Sequence, residues 1–368
     1  MVRAATVGNT YERRVGQDGD MERTVIIGTY TQDMPHVAGH AEGILSAVFD
    51  GTRLRDVRVA AELTNPSWVA ATPDGRRVYA VSETDPDGAV AAYGRDAEGA
   101  FRPLGTASSG GAEPANLAVH PGGRLLATGT YGGGSVSLFA LDEEGALGER
   151  LAFVQHHGHG PDPDRQSAPH VHQLTFDPVS GDLVVVDLGL GEVRWYAIDE
   201  QGQLTLRPDA TVVTGASGPR HLVYHRDERH AFLVNELDST LDVLRREGDR
   251  FVRVQGVSTR PAGAEGANKP AAVRLSENGR TVFVSNRGDD TIAVFAFDGD
   301  ASAVRLVHTV PTHGREPRDL VVVPGGHRIL VANQNSDDVS VFAFDQAERE
   351  LEFLGLSPVP TPVCLSVI

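Results

Sequence analysis

An internal repeat constrains the fold of this chain more than any other feature. Six copies of one pattern follow one another: a proline (Val171 in one copy), a short apolar stretch, a turn of the Pro-Asp-Gly type, and two further apolar stretches. Successive copies are 48, 57, 48, 51 and 47 residues apart. Each holds four short β-type segments separated by turn residues, and no amphipathic helical period accompanies them. Such a repeat predicts a β-propeller, in which each copy forms one four-stranded blade. The copies begin at Pro66, Pro114, Val171, Pro219, Pro270 and Pro317.

The two ends of the sequence supply a seventh blade. The segments TVIIGTYT, GILSAVFD and VRVAAEL lack an innermost strand, and PVCLSVI, which starts at Pro362, is such a strand alone. Pairing them closes the ring and removes the sheet edges that would otherwise invite aggregation. We therefore predict an all-β protein, one seven-bladed propeller over residues 22–368, preceded by a disordered N-terminal extension at residues 1–21. Two smaller β domains are the alternative, and no linker favours them.

Charge and cysteine content exclude several functions. The sequence has 33 Lys and Arg against 50 Asp and Glu, a net charge of −17, which argues against a nucleic-acid partner because phosphate backbones need clustered cations. The single cysteine, Cys364, excludes an intrachain disulfide and a cysteine-based metal cluster. No apolar run reaches the roughly 20 residues that span a bilayer, and the N-terminal segment lacks the apolar core of a secretory signal. We expect a cytoplasmic protein without a membrane partner; the oligomeric state stays open.

Functional residues are expected where one copy departs from the others at the propeller channel. Two positions can be compared: the residue after the initial proline, and the residue at the end of the second strand. A crowded channel uses small residues by default, so ionisable ones stand out. His172, Arg220, Glu236 and Arg287 fall in neighbouring blades and converge on one sector if both positions face the channel. The first position reads Ser67, Ala115, His172, Arg220, Ala271, Arg318 and Val363, and the second reads Glu83, Thr130, Leu188, Glu236, Arg287 and Gln334.

The residue types at these four positions suit chemistry on an anion. Two arginines can bind a carboxylate or phosphate bidentately. A histidine titrates near neutral pH, and a carboxylate can orient it or transfer a proton itself. The plainer interpretation is structural, with an Arg–Glu ion pair between blades and a hydrogen-bonded core histidine. The concentration of all four in one sector favours a functional site.

The widest interval between copies contains a loop rich in glycine, proline and histidine, QHHGHGPDPDRQSAPHVH at residues 155–172. Histidine is the commonest metal ligand, which makes a metal site one alternative here. The spacing matches no established metal motif, and a loop over the channel mouth is the simpler interpretation. We therefore predict no metal and no cofactor.

Six phrases of the sequence match the pattern of a known family. With them the chain resembles the propeller-type lactonases, which include bacterial 6-phosphogluconolactonases and, more distantly, fungal carboxy-cis,cis-muconate cyclases. The resemblance covers about residues 24–368 and implies a seven-bladed propeller; GPRH followed by VNEL is a specific combination within it. The phrases are IGTYT near Ile27, RQSAPHVHQLTFDP from Arg165, VVDLGLGEVRWY from Val185, GPRHLVYH from Gly218, VNELDSTLDV from Val234 and SNRGDDTIAVF from Ser285.

The resemblance also implies an activity and a site. In its cyclase branch a histidine, a glutamate and two arginines in the channel form the proposed active-site group, which maps to His172, Glu236, Arg220 and Arg287. The implied substrate is a small phosphorylated or carboxylated lactone, with 6-phospho-D-glucono-1,5-lactone the family's best-known one. Further substrate contacts are expected from the side chains of His170, Glu83, Asp187 and Arg318.

For lactone hydrolysis, His172 is expected to act as general base on the attacking water, and the arginines to bind the anionic group and the oxyanion. Glu236 is expected to orient the histidine or to protonate the leaving alkoxide. A cycloisomerase or lyase acting on an unsaturated carboxylate needs the same four residues and is the second hypothesis. A propeller that only binds another protein is the third, although such scaffolds tend to leave the channel bland.

Overall fold

The computed structural model describes residues 22–368, which form a seven-bladed β-propeller as predicted. Every blade is an antiparallel sheet of four strands, and one blade carries a short fifth strand. The predicted extension at residues 1–21 lies outside the described residues. Helical structure within the described range amounts to two single-turn 3₁₀ helices, Pro208–Ala210 and Gly215–Ser217, and no helix there is long and apolar enough to cross a membrane.

Thirty-one strands are described, and their lengths of two to nine residues are typical of propeller blades. They are β1 (Arg23–Thr29), β2 (Asp33–Met34), β3 (Val37–Ala38), β4 (Ile44–Phe49), β5 (Leu54–Ala61), β6 (Val69–Ala71), β7 (Arg77–Ser82), β8 (Ala89–Arg95), β9 (Phe101–Ser108), β10 (Pro114–Val119), β11 (Leu125–Thr130), β12 (Ser135–Leu141), β13 (Leu147–Gln155), β14 (Val171–Phe176), β15 (Leu183–Asp187), β16 (Glu192–Ile198), β17 (Leu204–Leu206), β18 (Val212–Val213), β19 (Pro219–Tyr224), β20 (His230–Asn235), β21 (Thr240–Glu247), β22 (Arg250–Ser258), β23 (Lys269–Leu275), β24 (Thr281–Arg287), β25 (Thr291–Asp298), β26 (Ala303–Pro311), β27 (Pro317–Val322), β28 (Arg328–Asn333), β29 (Asp338–Asp345), β30 (Glu350–Pro358) and β31 (Pro362–Val367).

Blade 1 joins both ends of the described chain, with the strand order β31-β1-β4-β5. Its innermost strand is therefore the last in sequence, and Ile26 pairs with Ser366 across the closure. Blades 2 to 7 take consecutive strands from β6–β9 to β27–β30, with β18 added beside β16 in blade 4. The hairpin β2–β3 is a separate two-stranded sheet inserted between β1 and β4. Cys364, the lone cysteine, is buried in the closing strand.

The hydrophobic core is divided into clusters that lie between neighbouring blades. One example joins blades 4 and 5, where the rings of Trp195 and Phe251 stack with centroids 5.8 Å apart. Burying each such ring contributes about 1.5–3 kcal/mol. Because each sheet has both faces covered, apolar residues fill both faces of the middle strands, as the β24 pattern shows. The aromatics that recur at the repeat period are all buried in these clusters: Tyr93, Phe139, Tyr196, Phe295 and Phe342.

Candidate active site

In five of the seven blades, a β-bulge at the start of the innermost strand leaves one residue unpaired at the channel mouth. In blade 5, Pro219 pairs with Asn235 and His221 pairs with Val234, so Arg220 has no partner in the ladder. An unpaired residue of this kind bends the strand and redirects its side chain. The same register shift isolates the residue after the proline, or after Val171, in four other blades. These residues are Ala115, His172, Arg318 and Val363.

A second set of residues ends the second strand of each blade or directly follows it. In every blade but the sixth, the backbone N–H of this residue donates to the carbonyl of the residue before the initial proline or, in blade 4, before Val171. In blade 6, Arg287 ends β24 and pairs with Lys269. Glu236 donates to Gly218 at 2.7 Å, and Tyr131 donates to Glu113 at 2.7 Å. In blade 3 this position is therefore held by Tyr131. The sequence comparison placed Thr130 there and was wrong by one residue. Tyr30 takes the place in blade 1 by donating to Thr361.

Glu236 is the centre of the charged cluster. Its Oε2 accepts a hydrogen bond from Arg287 Nη2 at 2.5 Å and lies 3.3 Å from Arg220 Nε, while its Oε1 accepts one from Arg165 Nη2 at 2.6 Å. Burial acts to raise the pKa of Glu236, but the guanidinium groups of Arg287, Arg220 and Arg165 outweigh it and hold that pKa well below its usual range. The carboxylate therefore stays ionised and organises three cations around itself.

His172 stands beside this cluster as a buried, neutral imidazole. Its Nδ1 is enclosed and has no hydrogen-bond partner among residues 22–368. Burial and the neighbouring Arg220 guanidinium lower the pKa of His172 well below its ordinary value. The ring packs edge-to-face between Tyr131, at 5.6 Å, and His221, at 5.3 Å. No hydrogen bond joins it to Glu236 in the described part of the chain, so aromatic packing rather than a carboxylate fixes its orientation.

Across the channel, Arg318 belongs to a second polar group with Tyr30 and Glu83. Arg318 Nη2 donates to Tyr30 Oη at 3.0 Å, and Tyr30 Oη donates to Glu83 Oε2 at 3.1 Å. Ser67 also donates to this carboxyl group. Burial raises the pKa of Glu83, against the opposing effect of Arg318. The two channel carboxyls thus differ: Glu236 is held ionised, and Glu83 is pushed towards its protonated form.

The long loop between β13 and β14 is anchored by a buried hydrogen-bond chain. Asp187 Oδ2 bonds His156 Nδ1 at 2.6 Å, and His156 Nε2 bonds Tyr196 Oη at 2.8 Å. The other Asp187 oxygen accepts the backbone N–H groups of His170 and Leu190, both at 2.9 Å. Asp187 is fully buried and both its carboxylate oxygens take part in these contacts, so it anchors the loop; its contact with a substrate stays a prediction.

This loop delivers two side chains to the mouth. Arg165 reaches Glu236, as described above, and lies 3.4 Å from Tyr131 Oη. His170 stacks on the Tyr131 ring with centroids 4.4 Å apart, and its Nδ1 lies 2.8 Å from the Tyr131 carbonyl oxygen. Among the residues that the structure describes, no histidine of this loop belongs to a group of three ligand atoms close enough for one metal ion. Within residues 22–368, a group of three close ligand atoms forms elsewhere, at His225, Asp227 and His230.

Five residues at the site escaped the sequence comparison: Tyr30, Tyr131, Arg165, His221 and His36. A signal for Tyr131 was available, since it follows Pro114 by 17 residues, the same interval that separates Pro219 from Glu236. Arg165 and His36 lie on insertions outside the repeat, so no comparison between copies could find them. His36, on the β2–β3 hairpin, is partly exposed, yet partial burial and the Arg318 and Arg287 guanidiniums lower its pKa to about 3.

The site therefore combines a cationic pocket with an unprotonated base. At the channel mouth three arginines contact one ionised glutamate, and Arg318 adds a fourth guanidinium across the channel, in a protein of net charge −17. Burial and the Arg287 and Arg318 guanidiniums lower the pKa of Arg220, which shows that positive charge is crowded there. A bound anion relieves such crowding, and guanidinium donors suit phosphate, carboxylate or an oxyanion.

Comparison with known proteins agrees with this description. The family described as "Lactonase, 7-bladed beta-propeller" matches residues 24–367. A 6-phosphogluconolactonase of Bacillus subtilis is 32% identical over 303 residues, 81% of this chain and 84% of that protein. The structure of a periplasmic gluconolactonase of Pseudomonas aeruginosa superimposes with a TM-score of 0.87 at 30% identity, covering 95% of this chain and 99% of that one. A Lactobacillus plantarum protein gives a TM-score of 0.86 at 31% identity, covering 95% and 100%.

Proposed function

This chain belongs to the lactonase family of seven-bladed β-propellers, and we propose that it hydrolyses the ring ester of a sugar-acid lactone at the channel mouth. The observation that carries the proposal is that His172 and Arg220 are both buried at the same bulge position of neighbouring blades, and that burial and the Arg220 guanidinium lower the pKa of His172. Ester hydrolysis needs a proton acceptor for water and a cation for the developing oxyanion, and these two groups supply both.

In the proposed reaction, His172 accepts a proton from water as the water oxygen bonds to the lactone carbonyl carbon. The carbonyl electrons move to oxygen, and Arg220 stabilises the resulting oxyanion. The carbonyl re-forms as the ring C–O bond breaks, and the imidazolium of His172 returns its proton to the leaving ring oxygen. The product is the open-chain hydroxy acid, so atoms and charge balance without a cofactor.

Glu236 takes a different role from the one its position first indicated. A carboxylate held ionised by three guanidiniums is a poor proton donor, so it does not protonate the leaving alkoxide in this proposal. It acts as a positioning residue that holds Arg165, Arg220 and Arg287 at fixed distances. Its charge also offsets theirs, which keeps the pocket stable while it is empty.

The anionic group of the substrate is proposed to lie towards Arg318. This guanidinium belongs to the group across the channel from His172 and donates a single described hydrogen bond, to Tyr30. The remaining N–H groups of Arg318 suit a phosphate or carboxylate at the far end of a sugar acid. Glu83 and His170 are proposed to line the same pocket.

A substrate screen tests the proposal. Acid release at constant pH is measured with 6-phosphoglucono-1,5-lactone and glucono-1,5-lactone and corrected for spontaneous hydrolysis. A carboxymuconate, whose cyclisation would consume a proton, is followed by its ultraviolet absorbance. Each substrate is run with and without chelator. We expect hydrolysis of a gluconolactone that chelator does not abolish and that His172→Ala lowers by about 10²–10⁴-fold. The matched control is His120→Ala, a histidine in a turn at the opposite end of blade 3.

Two results would contradict the proposal: no lactone hydrolysis above the spontaneous rate, or an unchanged rate in His172→Ala. Consumption of the muconate in place of the lactones would favour the cycloisomerase hypothesis. The cytoplasmic location stays a prediction, and the similar Pseudomonas aeruginosa protein is named as periplasmic.

A further inference from the structure

A second cluster of ionisable groups lies at the opposite end of blade 5 from the channel mouth. It sits in the turn between β19 and β20, where His225, Asp227 and His230 converge. Each offers one ligand atom, and these three atoms lie within 4.8 Å of one another. We infer that this cluster is a binding site for a divalent transition-metal ion, independent of the proposed lactonase site.

The other blades show what the same turn needs for folding alone. In blade 2, Thr72 Oγ1 donates to Asp74 at 2.6 Å, and in blade 6, Ser276 Oγ donates to Asn278 at 2.7 Å. A hydroxyl and one turn carboxylate or amide are therefore sufficient. Blade 5 replaces the hydroxyl by His225 and adds a second histidine, His230, on the other side of the carboxylate.

Hydrogen bonds from blade 6 orient both imidazoles with Nδ1 towards Asp227. His225 Nε2 lies 3.2 Å from the carbonyl oxygen of Gly279, and His230 Nε2 lies 2.9 Å from Ser302 Oγ. Metal-bound histidines usually donate their second ring N–H to an oxygen in this way, which fixes the tautomer. Both rings also pack edge-to-face on Phe297, each at 5.1 Å.

The contact between His225 and Asp227 brings two acceptors together. A carbonyl oxygen only accepts, so the Nε2 that faces Gly279 carries the hydrogen of the neutral imidazole, and Nδ1 is an acceptor. The Asp227 backbone N–H donates to this Nδ1 at 3.2 Å, and Asp227 Oδ1 lies 3.0 Å from it. The nitrogen lone pair and the carboxylate oxygen repel at this distance, and a bound cation would remove the repulsion in exchange for the long backbone hydrogen bond. On the other side, His230 Nδ1 lies 2.7 Å from Asp227 Oδ2, so one carboxylate faces two ring nitrogens.

The donor set determines which metal fits. Two imidazole nitrogens and one carboxylate oxygen suit Zn²⁺, Co²⁺ or Ni²⁺, whereas Mg²⁺ and Ca²⁺ prefer oxygen ligands throughout. His230 is buried, but the Asp227 side chain keeps 31% exposure, and a cavity of about 790 Å³ opens beside His225 and Gly279. An ion can therefore enter from solvent and keep water as a further ligand. Because the imidazoles are held from blade 6, the ion would stabilise the contact between blades 5 and 6.

The test uses the full chain, treated first with chelator to remove bound metal. The protein is titrated with Co²⁺, and binding is followed by visible absorption. Zn²⁺ is then added in competition. We expect one equivalent of Co²⁺ with the intense absorption of a low-coordinate site, displaced by Zn²⁺. His225→Ala and Asp227→Asn should each weaken binding by at least about tenfold. Zn²⁺ should also raise the thermal unfolding temperature of the unmodified protein, and of neither variant.

Matched controls separate this site from other histidines. His120→Ala changes a histidine at the same place in the blade 3 turn, where Nδ1 accepts from the Gly122 backbone and no carboxylate bonds the ring. The double variant His157→Ala/His159→Ala removes two exposed histidines of the long loop. Both controls should bind Co²⁺ as the unmodified protein does. The proposal would be overturned if the unmodified protein bound no stoichiometric Co²⁺. It would also be overturned if the loop variant lost Co²⁺ binding while His225→Ala and Asp227→Asn kept it. Asp227→Asn keeps the turn's backbone hydrogen bonds, so it remains informative if His225→Ala does not fold.

Discussion

Blades 3 and 5 share a backbone and differ in chemistry. Both have four strands, both carry a bulge after the initial proline, and in both the residue after the second strand donates to the residue before that proline. The bulged residue is Ala115 in blade 3 and Arg220 in blade 5. The residue after the second strand is Tyr131 in blade 3 and Glu236 in blade 5. Since the ladder does not constrain the bulged side chain, this position can carry an ionisable group without altering the sheet.

The largest expected effect is on stability, and it comes from replacing the charged Glu236 of blade 5 by a neutral residue. Glu236→Gln leaves Arg165, Arg220 and Arg287 without their shared carboxylate, and removing one partner from a buried ion pair costs about 3–5 kcal/mol of unfolding free energy. Glutamine fits this position, because Gln334 occupies it in blade 7. Urea denaturation at neutral pH measures the loss.

Gln334→Ala is the control for this change, with an expected loss of roughly 1 kcal/mol. If Glu236→Gln proved as stable as the unmodified protein, the charged cluster would contribute nothing to the unfolding free energy. The difference in residues between blades 3 and 5 would then have no effect on stability.

The second prediction concerns activity. The substitution makes blade 5 resemble blade 3 at the bulge. Arg220→Ala places there the residue that blade 3 carries naturally. Loss of one oxyanion donor should lower kcat/KM for the lactone by about 10²–10³-fold while the protein stays folded. Kinetics of acid release, with circular dichroism for the fold, measure it.

Arg226→Ala is the matched control, since this exposed arginine lies in the same blade at the end away from the channel mouth. Equal activity of Arg220→Ala and Arg226→Ala would show that the bulge position does not take part in the reaction.

The smallest effect concerns the pH dependence of stability. Burial and Arg220 depress the pKa of His172 in the folded protein, so below the unfolded pKa of about 6.5 the unfolded chain binds a proton that the folded chain does not. The stability associated with this neutral histidine is present above that pH and is lost as pH falls. His172→Gln should reduce the decline by up to about 1.4 kcal/mol per pH unit between pH 6.5 and 5.

Unfolding by urea at several pH values tests this, with His120→Gln as the control. Parallel stability curves for the unmodified protein and His172→Gln would contradict a buried neutral imidazole at this position.

The repeat explains why the fold could be predicted and where the prediction of the site stopped. Blade number and ring closure follow from proline spacing, because each copy must repeat the same hydrogen bonds. His172, Arg220, Glu236 and Arg287 stood out since the fold does not require them. Arg165 lies on a loop that occurs once, so nothing in the other copies predicts its contact with Glu236. The role of Asp187 depends on His156 and Tyr196, whose meeting is a property of the folded blade.

The place of the closing strand in the sequence also affects folding during synthesis. Strand β1 is made before its partner β31, which lies more than three hundred residues further along the chain. Until residues 362–367 leave the ribosome, β1 presents a free edge with the buried side chains of Ile26 and Ile27 beside it. Such an edge pairs readily with other strands. During translation, the emergence of β31 is therefore the event that ends the exposure of β1 to misassembly.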